Sequence, residues 1–154
     1  MRDYIIVQKE EEYKAASILF KEYAAWLNID LGFQQFEKEL ETLKTMYKAA
    51  DGGIILCKEA DSFIACVAIR RSTANTAELK RMYVQPRHQH KGIGKTLLEK
   101  SITLAITCKY EFIRLDTLNH MLPAINLYKK HGFYEIAPYY HNPISTAVYF
   151  EKKL

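Results

Sequence analysis

The chain is 154 residues long, 49% hydrophobic and 26% charged, which suits one domain over 1–154 that buries a real core without staples and leaves little room for a second. Lys and Arg number 22 against 18 Asp and Glu, and the whole +4 excess sits between residues 78 and 100, where Lys80, Arg81, Arg87, Lys91, Lys95 and Lys100 face only Glu78 and Glu99. So local an excess points to a local anionic ligand and away from a nucleic-acid partner, whose binding surface would spread its charge more widely.

The opening stretch MRDYIIVQKEEEY has only a three-residue apolar run, too short for a signal peptide. No later stretch approaches the roughly 18 apolar residues of a membrane span, so no membrane partner is expected. Residues 4–8 read as a short strand. Residues 10–27 read as a helix, with Tyr13, Ala16, Ile18, Phe20, Tyr23, Ala24 and Leu27 at an approximate 3.6 period. After Gly32, the positions Phe33, Phe36, Leu40, Leu43 and Tyr47 predict a second helix. The apolar runs 53–58 and 63–70, joined by Glu-Ala-Asp-Ser, predict a hairpin, and residues 77–84 alternate as a third strand of that sheet. Gly92 opens a helix with Ile93, Leu97, Leu98, Ile102, Ala105 and Ile106 on its apolar side. Phe112–Asp116 reads as a strand, and 122–131 as a helix that Gly132 closes with a left-handed cap. Strands follow near Phe133 and over Thr146–Glu151. Antiparallel strands followed by β-α-β-α-β make an α/β three-layer plan on a mixed sheet. Cys57, Cys66 and Cys108 are odd in number and lack C-x-x-C spacing; they read as buried thiols in a reducing compartment, and the expected location is cytoplasmic.

Chemistry concentrates in Val84-Gln-Pro-Arg-His-Gln-His-Lys-Gly-Ile-Gly-Lys-Thr96. A strand ends, Pro86 breaks it, and two glycines two apart open an amphipathic helix. Free N–H groups and the positive end of a helix dipole form an anion site there, and glycine lets phosphate oxygens approach the backbone. The dinucleotide pattern G-x-G-x-x-G fails because Leu97 stands at its third glycine. The P-loop pattern matches at Gly94-Lys95-Thr96, but its first glycine would fall on Gln89, and too little chain follows for that fold's further parallel strands.

Gln89-His-Lys-Gly92-Ile-Gly94 satisfies instead a Q/R-x-x-G-x-G/A loop, and here the sequence resembles the GNAT superfamily of N-acetyltransferases. Glu78-Leu-Lys-Arg-Met-Tyr-Val84 is similar to that family's strand before the loop. Leu115-Asp-Thr-Leu-Asn119 is similar to its next strand, and Ala124-Ile-Asn-Leu-Tyr128-Lys-Lys-His-Gly132-Phe133 to its A-x-x-L-Y-x-x-x-G-F helix and exit strand. Three motifs in the right order are far more specific than one.

The resemblance implies a sheet splayed at an acyl-CoA slot and acetyl-CoA as cosubstrate, with no metal. Amides of Gln89, His90, Lys91, Gly92, Ile93, Gly94, Lys95 and Thr96 would hold its pyrophosphate. The edge formed by Met82, Tyr83 and Val84 would pair with the pantetheine arm as an added strand does, and an N–H near Tyr83 or Val84 would polarise the thioester carbonyl. Ala124, Asn126 and Asn119 resemble positions that touch the cofactor; either asparagine equally reads as a turn or helix-cap residue, the commoner fate of Asn. Tyr128 matches the tyrosine that protonates the departing thiolate; from spacing alone it is one of eleven tyrosines packing a helix face. Glu78 stands where many family members place a general base, and its ordinary alternative is an ion pair with Lys80 or Arg81. Asp116 reads as structural. His88 and His90 form H-x-H without a third ligand nearby and read as surface histidines.

The acceptor site would lie between Tyr23–Phe36 and the loop Pro138-Tyr-Tyr-His-Asn-Pro143, where Tyr139, Tyr140 and Asn142 could orient a small amine; the same loop equally suits a homodimer contact or a plain loop. The expected activity is transfer of the acetyl group of acetyl-CoA to a primary amine of a small molecule or amino acid, directly, in a ternary complex. The competing readings are an acyl-CoA sensor of the same fold without turnover and, further off, a P-loop-like nucleotide binder.

Overall fold

The computed structural model describes residues 1–154. Seven strands form one sheet in the order β1-β2-β3-β4-β5-β7-β6. β1 (Arg2–Ile6), β2 (Gly53–Glu59), β3 (Ser62–Arg71) and β4 (Thr76–Val84) pair antiparallel in sequence, β5 (Phe112–Leu118) lies parallel to β4, and β7 (Ala147–Lys153) returns antiparallel between β5 and β6 (Tyr134–Ile136). The expected mixed, mostly antiparallel α/β plan is therefore present. No helix is long and apolar enough to cross a membrane.

Two cores form, one on each face. α1 (Glu10–Leu27) buries Ala16, Leu19 and Phe20 against the face that carries Leu56, Cys66, Ala68 and Tyr83. Glu12 fixes its start by accepting the Gln8 and Lys9 amides at 2.7 and 2.9 Å, satisfying two donors at the helix entrance. On the other face α4 (Ile93–Thr107) and α5 (Leu122–Lys130) cover Ala77, Leu79, Ile113 and Leu115 with Leu97, Leu98, Ile125 and Tyr128. α5 ends as its sequence demands: Gly132 has φ +88°, and the Phe133 amide reaches back to the Tyr128 carbonyl at 3.0 Å.

Three expectations are corrected. The single helix read over 33–47 is a 3₁₀ turn (Gly32–Gln34) followed by two short helices, α2 (Phe36–Glu41) and α3 (Leu43–Met46). Gln35 breaks it with φ +56°, which swings Glu39 inward to meet Arg81 from β4; apolar periodicity cannot register a buried glutamate. Ile18 and Ile106, counted on apolar stripes, are exposed. β4 does not alternate either. Helices cover both faces of the sheet there, and Arg81 sits at φ +59° in a bulge where two β4 residues oppose one of β3. The bulge puts Lys80 and Arg81 on the same side of the sheet, toward the 32–41 segment, when simple alternation would have opposed them.

Candidate active site

β4 and β5 pair only at Thr76–Phe112, Ala77–Ile113 and Glu78–Arg114. Past Glu78 the strands part, since β4 keeps only β3 as neighbour and β5 only β7. The divergence opens a slot through the sheet, and a cavity lies at each end of it.

The larger, about 560 Å³, runs along the start of α4. Met82, Tyr83, Val84, Gln89, His90, Gly92, Ile93, Gly94, Lys95 and Ala124, all singled out from sequence, line it; Trp26, Leu27, His88, His120, Met121, Pro123 and Leu127 complete it. Trp26 and His120 carried no motif that could have announced them. The first bond of α4 joins the Thr96 amide to the Gly92 carbonyl at 3.1 Å, which leaves the amides before it facing outward at the positive end of the helix. A Cβ placed on Gly92 or Gly94 would meet no protein atom within 4 Å. Gly92 needs its φ of +83°, but Gly94 is helical and nothing in the fold requires a glycine there. An open cradle of amides with bare glycines fits a pyrophosphate. Gln89 anchors the loop to the strand by donating its side-chain amide to the Val84 carbonyl at 3.1 Å. Lys91, Thr96, Asn119 and Asn126 lie outside the cavity lining. Thr96 bonds the Gly92 carbonyl, the Asn119 amide bonds Thr146, and Asn126 is exposed on α5.

The smaller cavity, about 80 Å³, lies deeper, between the 23–34 segment and the splayed strands. Leu27, Met82, Met121 and Ala124 border both cavities, so the two meet at the slot. Tyr128, one turn past Ala124, lines the inner one. Its ring packs on Phe133 and Phe150 at 5.7 and 6.3 Å, and burial pushes its phenol well above the ordinary value. The hydroxyl is therefore protonated at neutral pH.

A polar network surrounds this inner cavity, and little in the sequence hints at it. Tyr140 is its hub: its hydroxyl donates to Asp116 Oδ2 at 2.7 Å and accepts from Gln34 Nε2 and Asn142 Nδ2, each at 3.0 Å. Gln34 Oε1 in turn accepts from Lys80 Nζ at 3.3 Å. Of the three acceptor-site candidates, Asn142 lines the cavity and Tyr140 reaches it through Asp116. Tyr139 points elsewhere, donating to Glu78 Oε2 at 2.8 Å beneath the Arg114 guanidinium.

Glu78 occupies β4 but lines neither cavity. Its other oxygen pairs with Arg70 at 2.8 Å, not with Lys80 or Arg81. Burial pushes the carboxyl up, and the surrounding Lys80 and Arg70 charges with the Tyr139 bond more than offset this, holding it below the ordinary value. Asp116 is the opposite case: it lines the cavity, and burial raises it despite the Tyr140 bond. His88 Nδ1 lies 3.4 Å from Glu59 without hydrogen-bond geometry. No three His, Cys, Asp or Glu side chains cluster as a metal site.

The acetyltransferase (GNAT) family model matches residues 19–133. The chain is 33% identical to an uncharacterized N-acetyltransferase of Schizosaccharomyces pombe, over 89% of its own length and 85% of the relative's. Among solved structures it shares its fold with an acetyltransferase from Streptococcus agalactiae, with a TM-score of 0.82 at 20% identity over 99% of this chain and 98% of the other. A GNAT family acetyltransferase from Elizabethkingia anophelis with acetyl-CoA bound superposes over 68% of this chain and 77% of its own, at TM-score 0.58 and 24% identity.

Proposed function

The chain belongs to the GNAT family of acetyl-CoA-dependent acetyltransferases, and from that premise we propose that it acetylates a primary amine of a small molecule by direct transfer in a ternary complex. The observation that carries this reading is the meeting of the two cavities at the splay between β4 and β5, with the Tyr128 ring beside the junction. Two adjoining cavities at one reaction point would allow both substrates to be held at once, which needs no acetylated enzyme intermediate.

Amides at the start of α4 would hold the pyrophosphate, and the free edge of β4 over 82–84 would hold the pantetheine arm. Acetyl-CoA supplies an acyl carbon already activated as a thioester. Tyr128 holds a proton at its hydroxyl for the departing sulfur, as any phenol does at neutral pH. The apolar side chains of Leu27, Met82, Met121 and Ala124 line the junction where the thioester would lie.

Titration with CoA should raise the melting temperature, by about 2.7 kcal/mol of stabilisation at a hundredfold excess over Kd. Thiol release should follow when acetyl-CoA is offered with a panel of primary amines. Binding without release against every amine would leave a sensor of the same fold, and no binding to protein free of CoA would overturn the cofactor assignment.

A further inference from the structure

Resting on that acetyltransferase reading, we propose that the acceptor carries a carboxylate close to its amine, as an amino acid does, with Lys80 and Gln34 receiving the carboxylate and Asp116 receiving the ammonium and then its proton.

Arg70, Lys80 and Arg81, from β3 and β4, carry charge on this face of the sheet, and two of them have counter-ions. Arg81 holds Glu39 through two bonds, of 2.8 and 3.0 Å, and Arg70 holds Glu78. Lys80 is 8% exposed, makes no direct ion pair although the Glu78 charge is near it, and donates only to the neutral oxygen of Gln34. Burying an ammonium without a directly bonded counter-ion is costly, and burial, with the Arg81 and Arg70 charges, pushes Lys80 below its ordinary value against the opposing pull of Glu78 and Glu39. Asp116 faces the same cavity with the reverse need. Its one partner is the Tyr140 hydroxyl, and it has no cation at ion-pair distance. Lys80 and Asp116 thus stand as opposite charges on the wall of one cavity without a direct ion pair between them.

The wall between them is tied. Lys80, Gln34, Tyr140 and Asp116 form one chain of hydrogen bonds, in which Gln34 presents oxygen to the lysine and nitrogen to the tyrosine. That chain holds the two charges apart and fixes their directions. A ligand with negative and positive groups in the opposite order satisfies both, whereas a simple alkylamine would bring another cation toward Lys80 and leave the lysine without a bonded counter-ion.

The chemistry balances with groups already present. Asp116 takes one proton from the ammonium, leaving a neutral amine. The nitrogen bonds to the acetyl carbon as the carbon–sulfur bond breaks. Tyr128 gives its proton to the sulfur, and the second amine proton restores the tyrosine. Asp116 then returns its proton to solvent.

Calorimetric titration of the CoA-loaded protein tests this without turnover. The probes are N-acetyl derivatives of the common amino acids, each compared with the same N-acetylamine lacking the carboxylate. At least one amino-acid derivative should bind ten or more times tighter than its decarboxylated partner, Lys80→Met should abolish that preference, and Lys80→Arg should retain part of it. CoA affinity, read by the same method, should hold in both variants. Asp116→Asn should slow acetylation of the preferred amino acid by about 10²–10⁴-fold. Equal binding of the paired probes, binding of neither, or a preference that survives Lys80→Met overturns the proposal, and a wild-type rate in Asp116→Asn removes that residue from it. If simple amines are acetylated as well as amino acids, the carboxylate site fails while the acetyltransferase reading stands; if CoA itself does not bind, the acetyltransferase reading has failed.

Discussion

Tyr128 and Glu78 are both catalytic candidates by motif, and the fold gives them different surroundings. The Tyr128 ring sits among Phe133 and Phe150, so phenylalanine replaces it without loss of packing and removes only the hydroxyl. Tyr128→Phe should therefore leave CoA affinity unchanged and lower the chemical rate by about 10²–10⁴-fold, measured by single-turnover acetylation. Raising the pH should not restore it, because alkaline solution supplies fewer protons to the sulfur. Glu78 has one oxygen on Arg70 and the other on Tyr139. Glu78→Gln should cost about 3 kcal/mol in chemical denaturation, the low end for a broken buried pair because Arg70 keeps a third of its side chain in solvent. Its activity should fall through misplacement of β4, without recovery at higher pH. Recovery on raising the pH would instead return the base role to Glu78. The sequence supplied both residues and their strand or helix; it could not supply Arg70 and Tyr139, which come from a neighbouring strand and a distant loop.

At the scale of elements, the start of α4 is written locally and the bulge of β4 is not. Glycines at 92 and 94, a proline that ends the strand and an apolar stripe behind them are contiguous in the chain, so local sequence suffices to specify the anion cradle. Gly94 gives a test in which stability and function move in opposite directions. It is helical and has open space where a Cβ would lie. Gly94→Ala should leave thermal stability unchanged or raise it by up to about 1 kcal/mol, as alanine loses less entropy in a helix. The same methyl would stand in the path of the phosphates and should weaken CoA binding on the order of tenfold, read by calorimetry. A stable variant with wild-type affinity would place the pyrophosphate elsewhere. The β4 bulge, by contrast, reverses the side on which Arg81 falls. It brings Arg81 to Glu39 on a helix some forty positions away in sequence, and no local pattern carries that information.

Across the whole molecule, the Arg81–Glu39 pair fastens the N-terminal helical layer to the central strand. The arginine and glutamate side chains are 4% and 1% exposed, and Tyr47 adds a third bond to the carboxylate at 2.9 Å. Burial pushes Glu39 up, and the two Arg81 bonds and its charge more than offset this, so the folded carboxyl titrates below its ordinary value. A carboxyl depressed in the folded state contributes stability that is fully present above the unfolded value, near 4.3, and is lost as the pH falls through the folded value. Acid unfolding should therefore steepen below about pH 4. Glu39→Gln should cost about 3–5 kcal/mol at pH 7, since it strands a buried guanidinium, and the gap to wild type should narrow in acid, measured by urea denaturation across pH. A constant gap would show that the pair stays ionised throughout. What the sequence determined by itself was everything carried by short spacing: α1, α4 and α5, the β2–β3 hairpin, the glycine cradle and the three motifs that resemble an acetyltransferase. Only the tertiary structure decided the broken helix over 32–46, the shared face of Lys80 and Arg81, and the two charges of the inner cavity that lack a direct ion pair. Periodicity records which side of an element faces the core, but the partner of a buried charge is chosen by contacts between segments far apart in the chain.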